Sequence, residues 1–200
     1  MEFSLEEYKQ LSEELRIYLK QREFNITTAR IVTFAALTSS SLTSSFSPSS
    51  KNYILLAEII LIISAFFVLV MWYDSIRRLL AMFRISTYLI VFYEQECKEL
   101  QWHSLVAYHK IHKTFLHRIL GNAMFPIMAF ALLALFNYLG FSKLKIQINR
   151  LNIFFLLLLD SIFLFLIVLL IKESLSLEIR RKQDIKFWSQ LKNKLQKENF

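Results

Sequence analysis

Residues that turn a backbone are nearly missing from this chain: two Gly and two Pro in 200 residues, where average usage would give about 24. Without glycine there is no Gly-rich loop for a dinucleotide-binding α/β fold, and no collagen repeat. The single cysteine, Cys97, excludes an internal disulfide framework and a cysteine-based zinc site, and it leaves the redox compartment open. What fills the chain instead is apolar: 55% hydrophobic residues, 15% aromatic, 19 of them Phe, with a positive mean hydropathy. That content excludes disorder. A chain this poor in helix breakers and this rich in apolar residues reads as long helices, all-α.

Four runs have the length and character to cross roughly 30 Å of hydrocarbon. Two are strong, 53–73 (YILLAEIILIISAFFVLVMWY) and 151–171 (LNIFFLLLLDSIFLFLIVLLI), each holding one acid. A third, 122–141, is uncharged and has Pro126 near its start, where a proline disturbs a helix least. The fourth, 31–47 (IVTFAALTSSSLTSSFS), is rich in Ser and Thr. It can span if its hydroxyls bond carbonyls of its own helix or face neighbouring helices.

Lys and Arg number five in residues 1–30, seven in 74–120 and eight in 172–200, against one and three in the two remaining connections. By the positive-inside rule, both termini and the central segment are expected in the cytoplasm of a bacterial cell, with two short loops outside. The first 30 residues are charged and amphipathic without an apolar core, so no cleavable signal peptide is expected. The net charge of +8 is thereby read as topology before anything else, and direct nucleic-acid binding is not expected. The expected organisation is a cytoplasmic amphipathic helix (1–30), a membrane hairpin (31–73), a cytoplasmic helical segment (74–120), a second hairpin (121–171) and a basic cytoplasmic helix (172–200). The fold class is an integral membrane helical bundle of four transmembrane helices extending into a cytoplasmic helical bundle.

In the first segment, Leu5, Tyr8, Leu11, Leu15, Tyr18, Leu19 and Arg22 recur at three- and four-residue steps, with Glu6, Glu7, Glu13 and Glu14 on other faces. With six acids against five bases, it suits packing on another helix better than anchoring to a membrane surface. The last segment carries a stripe of Ile185, Trp188, Leu191 and Leu195 on a basic helix; the stripe packs it, with anionic lipid or the acidic first helix as the alternative contact. No Gly or Pro occurs from Asn52 to Leu120, so the second membrane helix is expected to continue past Arg77, Arg78 and Arg84 toward Tyr93. Met82, Phe83, Ile85, Tyr88, Leu89, Val91, Phe92 and Tyr93 cover more than one face of that continuation, which calls for packing partners on several sides or for self-association.

Glu58 and Asp160 are the ionisable residues inside the expected spans, and intramembrane acids are functional hypotheses by default. Asp160 lies about 13 Å in from the outer helix end, near the midplane. With Thr38 and Ser41 of the first span they form a candidate cation-favouring path through an oligomer. The competing structural reading has Asp160 protonated, or hydrogen-bonded to Ser161 or a neighbouring helix, and Glu58 reaching Lys51 or Arg150; it is the favoured one. Arg77, Arg78, Tyr88, Phe92 and Trp102 are the candidate surface for docking a partner. Four histidines, His103, His109, His112 and His117, fall in one stretch. A partly solvated set is favoured over a metal site, since no His-Glu-x-x-His pair is present. No nucleophile elbow, P-loop or kinase signature appears, so no enzyme and no cofactor is expected. Asp74-Ser-Ile-Arg-Arg beside Ser176-Leu-Glu-Ile-Arg-Arg, with Glu58 and Asp160 about 20 residues ahead of the arginine pairs, has the spacing of a duplication, and chance accounts for it as readily.

The stretch Arg84-Ile-Ser-Thr-Tyr-Leu-Ile-Val-Phe-Tyr-Glu94, followed by Leu100-Gln-Trp102-His, together with Tyr8-Lys-Gln-Leu-Ser-Glu13-Glu, resembles a pattern in poorly characterised bacterial multi-span inner-membrane proteins. It departs from that pattern where His103 replaces the usual acid, and it covers residues 5 to about 108. The plan is similar to membrane subunits of anti-phage defence systems, including retron-associated membrane effectors and the Kiwa membrane subunit. The resemblance implies an inner-membrane effector or sensor that permeabilises or depolarises the membrane once a cytoplasmic partner protein releases it; the apolar continuation of the second span adds the expectation of a homo-oligomer. The alternative is a membrane scaffold that docks such a partner without conduction. No binding or catalytic residue is carried over with the resemblance.

Overall fold

Nothing between Leu5 and Phe46 interrupts the intrahelical hydrogen-bond ladder, and in the computed structural model this stretch is one helix, α1 (Leu5–Phe46, 42 residues). The structure describes residues 5–46, 51–94, 124–139 and 150–198. Helix α2 (Lys51–Leu89, 39 residues) passes directly into a π-helical turn, Ile90–Glu94. Helix α3 is Met124–Leu139, and α4 is Arg150–Glu198 (49 residues). The described residues are entirely helical, as the scarcity of turn-formers requires, and Pro126 sits in the first turn of α3. The expected amphipathic N-terminal helix and the Ser/Thr-rich run are a single uninterrupted α1. The continuation of α2 toward Tyr93 is present, but it ends in a π turn rather than in α-helix.

One helix among the described residues, Leu55–Tyr93, is long and apolar enough to cross a membrane. Helix α3 is apolar but shorter, α1 is diluted by hydroxyls, and the apolar run of α4 contains Asp160 and gives way to Lys172-Glu173.

The chain divides into two compact units. Unit 1 gathers Met1–Phe24, Asp74–Leu120 and Lys172–Phe200; unit 2 gathers Asn25–Tyr73 and Gly121–Ile171. In unit 1 the core is Leu15, Met82, Leu89, Val91, Phe92 and Tyr93, with Tyr8, Leu11, Tyr18 and Leu19 of α1 and Trp188, Leu191 and Leu195 of α4 packed against it. The aromatic run that called for partners on several sides thus has α1 and α4 as those partners. The π turn helps: one extra residue per turn shifts the helix face, and Val91, Phe92 and Tyr93 are all buried in succession.

Unit 2 is built differently. Small residues, Ala29, Ala36 and Ser40 on α1 and Ala57, Ser64 and Ala65 on α2, are buried, which permits close helix approach. Trp72 of α2 stacks on Phe125 of α3 with ring planes 3° apart and centroids at 6.2 Å. Beyond these, Leu61, Leu132 and Ile167 are fully buried.

Candidate functional site

The candidate intramembrane residues all fall in unit 2. Asp160 is half-buried on α4, and its Oδ2 accepts a hydrogen bond from Nδ2 of Asn137 on α3 at 2.9 Å. The competing reading named Ser161 or a neighbouring helix as its partner. The neighbouring helix is the observed one, because the Ser161 hydroxyl donates to the Leu157 carbonyl at 2.7 Å. Asn137 was missed from sequence: an amide in an uncharged run gives no signal until the opposing acid is placed beside it. Oδ1 of Asp160 and Oδ1 of Asn137 are both buried and have no hydrogen-bond partner.

Glu58 is half-buried on α2. Thr38 and Ser41 are exposed on α1, and each donates to a carbonyl of its own helix, Thr38 to Phe34 at 2.9 Å and Ser41 to Leu37 at 2.7 Å. Thr33 to Ala29 at 2.7 Å, Ser39 to Ala35 at 2.6 Å and Ser40 to Leu37 at 3.0 Å follow the same rule. This is the condition under which a Ser/Thr-rich helix tolerates hydrocarbon: the hydroxyl hydrogens are spent locally. Arg30 is exposed in unit 2, and its guanidinium donates to Sδ of Met124 at the start of α3 at 2.8 Å.

The candidate docking residues fall in unit 1 and have different environments. Phe92 is buried and Tyr88 half-buried in the aromatic core, where Trp188 lies edge-on to both at centroid distances of 5.2 Å and 6.2 Å. Arg78 pairs with Asp74 one turn back at 2.7 Å and also donates to Gln21 of α1. Arg77 is exposed. Trp102 and the four histidines lie outside the described residues. The Asp74-Arg78 arrangement is not repeated in the second arginine pair, where Arg180 pairs with Glu173 at 2.8 Å and Arg181 lies over the Phe83 ring at 5.5 Å.

Glu7 is exposed on α1, off the apolar stripe, as the periodicity predicts. Its carboxylate accepts hydrogen bonds from both Tyr88 and Tyr93. Burial, reinforced by the charge of Glu7 and its hydrogen bond, pushes the Tyr88 phenol up from its ordinary value. Burial, then the hydrogen bond to Glu7, does the same to Tyr93. The Glu14 carboxylate, as hydrogen-bond acceptor, raises Tyr18. On α4, Lys192 Nζ donates to the Val91 carbonyl within the π turn at 2.6 Å. No group of three or more His, Cys, Asp or Glu able to hold a metal occurs among the described residues.

Compared with known protein families, with curated proteins and with solved structures, the chain matches none.

Proposed function

We propose that this chain is a multi-pass protein of the bacterial inner membrane, with four spans in unit 2 and both termini and unit 1 on the cytoplasmic side. In this reading it is a non-enzymatic effector or sensor in phage defence that permeabilises or depolarises the membrane as a homo-oligomer. The observation that carries the membrane part is the outward surface of unit 2: Phe34 is 71% exposed, Ile63 63%, Ile127 63% and Phe165 63%. Large apolar side chains at that exposure on every helix of the unit need hydrocarbon around them, because water would drive them into aggregation. The hydroxyl-rich run fits a span when bundled with α2, since its hydroxyls bond carbonyls of their own helix. The defence role rests on the resemblance of residues 5–108.

A scaffold that docks a cytoplasmic partner without conduction is the second reading. It draws on Leu175, Ile179 and Phe187, exposed on α4 among lysines in unit 1. A membrane-potential dye in cells expressing the full chain, alone or challenged with phage, separates the two. Depolarisation that weakens with Asp160→Asn is the expected result for the effector. Protection from phage at unchanged potential would establish the scaffold and end the effector reading.

A further inference from the structure

A carboxylate beside a carboxamide can complete only one N–H···O hydrogen bond. The Asn137–Asp160 pair makes that bond between Nδ2 and Oδ2, and it leaves two oxygens, Oδ1 of each residue, buried with no donor. Both atoms are acceptors, so they cannot satisfy one another. Buried polar atoms without partners are rare and mark strain, function or a missing small species. The adjacent Ser161 hydroxyl is committed to the Leu157 carbonyl. The other ionisable side chains described in unit 2 are Arg30, Glu58, Tyr73 and Tyr138; Arg30 donates to Met124, and the partner seen for Asp160 is Asn137.

We propose that Asn137 and Asp160 form a site for one small cation, a proton or an alkali ion, held by the two Oδ1 atoms. The shared chemistry is a single positive charge on two hard oxygens. A proton on Asp160 Oδ1 would donate to Asn137 Oδ1 and close a ring of two hydrogen bonds that satisfies both side chains. An alkali ion would balance the same carboxylate charge. The inference rests on the membrane reading of unit 2, where an unbalanced carboxylate is most costly. It deepens that reading by naming the species the polar pair takes.

The test is thermal melting of the full chain in lipid nanodiscs, in sodium, potassium or choline chloride at equal ionic strength and over a series of pH values. A ligand that binds only the native form raises the midpoint, here by about 2–4 °C. A rise in an alkali salt over choline assigns the site to the alkali ion, and a rise with falling pH in choline assigns it to the proton. Asp160→Asn should abolish either dependence and still fold, because a second carboxamide closes the same two-bond ring with no charge to balance. Asn137→Leu should abolish it too. A parent protein indifferent to both ion and pH, or one whose ion and pH dependence is the same as that of Asp160→Asn, overturns the site. Failure of the chain to enter nanodiscs counts instead against unit 2 as a membrane bundle, which keeps the two readings distinguishable.

Discussion

Units 1 and 2 draw on the same long helices, α1, α2 and α4, and turn opposite surfaces outward. Unit 1 packs an aromatic cluster of Tyr88, Phe92, Tyr93 and Trp188 at its core, although Phe24 and Phe187 stand exposed. Its exposed positions are mostly charged, among them Glu6, Glu13, Arg16, Lys20, Arg77 and Lys182. In unit 2 alanines and serines fill much of the interior, while Phe and Ile stand exposed. One chain thus carries two solvation patterns, each consistent with a different surrounding. The hydrophobic effect orders side chains by water only where water is present, whereas in lipid it is close packing and bonded polar atoms that hold helices together. The difference also explains the hydrogen bonds. Unit 1 spends polar groups between helices, as in Glu7 with Tyr88 and Tyr93. Most of the hydroxyl bonds of unit 2 stay within one helix, with Asn137–Asp160 as an interhelical exception.

The contrast is most easily broken by charge. Ile63→Arg on the outward face of α2 should cost about 2.5–3.5 kcal/mol of insertion free energy if hydrocarbon surrounds it, whereas Ile179→Arg in unit 1, at similar exposure (62%), should change stability by less than about 0.5 kcal/mol. Membrane fractionation and accessibility labelling of the two variants read this out. Equal behaviour of both would dissolve the distinction between the units.

Packing gives the next effect. Trp188→Ala removes the edge-on ring that meets Tyr88 and Phe92 and should destabilise unit 1 by about 2–3 kcal/mol, below the cost for a fully buried Trp because this one is half-buried. Denaturant unfolding followed by near-ultraviolet circular dichroism is the measurement. An unshifted midpoint would remove Trp188 from the core.

The smallest effect is a pH dependence. The phenols of Tyr88 and Tyr93 titrate above their ordinary value of 10 in the folded chain, so the native state holds protons that the unfolded state has lost. Their contribution to stability is full below pH 10 and declines as pH rises past it. Glu7→Gln removes the negative charge that reinforces both shifts. Its tyrosine absorbance titration should move toward lower pH, while a titration identical to the parent's would separate Glu7 from the pair.

Much of the helical plan was legible because it depends on local chemistry. The run without Gly or Pro from Asn52 foretold α2 and its continuation, and the stripes on α1 and α4 foretold which faces pack, except at Leu5 and Ile185, which begin the two stripes and stand exposed. What stayed hidden depended on partners distant in the chain. Glu7 lies off the apolar stripe of α1 and gains its role only from phenols more than 80 residues away. Asn137 is one amide in an apolar run until α4 sets Asp160 against it. Arg78 and Arg181 occupy matching positions in the two arginine pairs, yet Arg78 pairs with Asp74 while Arg181 lies over the Phe83 ring, since side-chain partners follow reach and not sequence similarity.

By itself, the sequence determined that the chain is helical, where its longest apolar stretch runs and where its positive charge concentrates. These follow from propensity, hydropathy and composition, which are properties of a residue and its near neighbours. Only the tertiary structure decided that Tyr88 and Phe92 turn inward, that the hydroxyls of α1 close on their own backbone, and that an acid and an amide meet with two oxygens unsatisfied. Those outcomes depend on which helices approach and at what register, and burial and hydrogen-bond satisfaction are settled only when the opposing surface is in place.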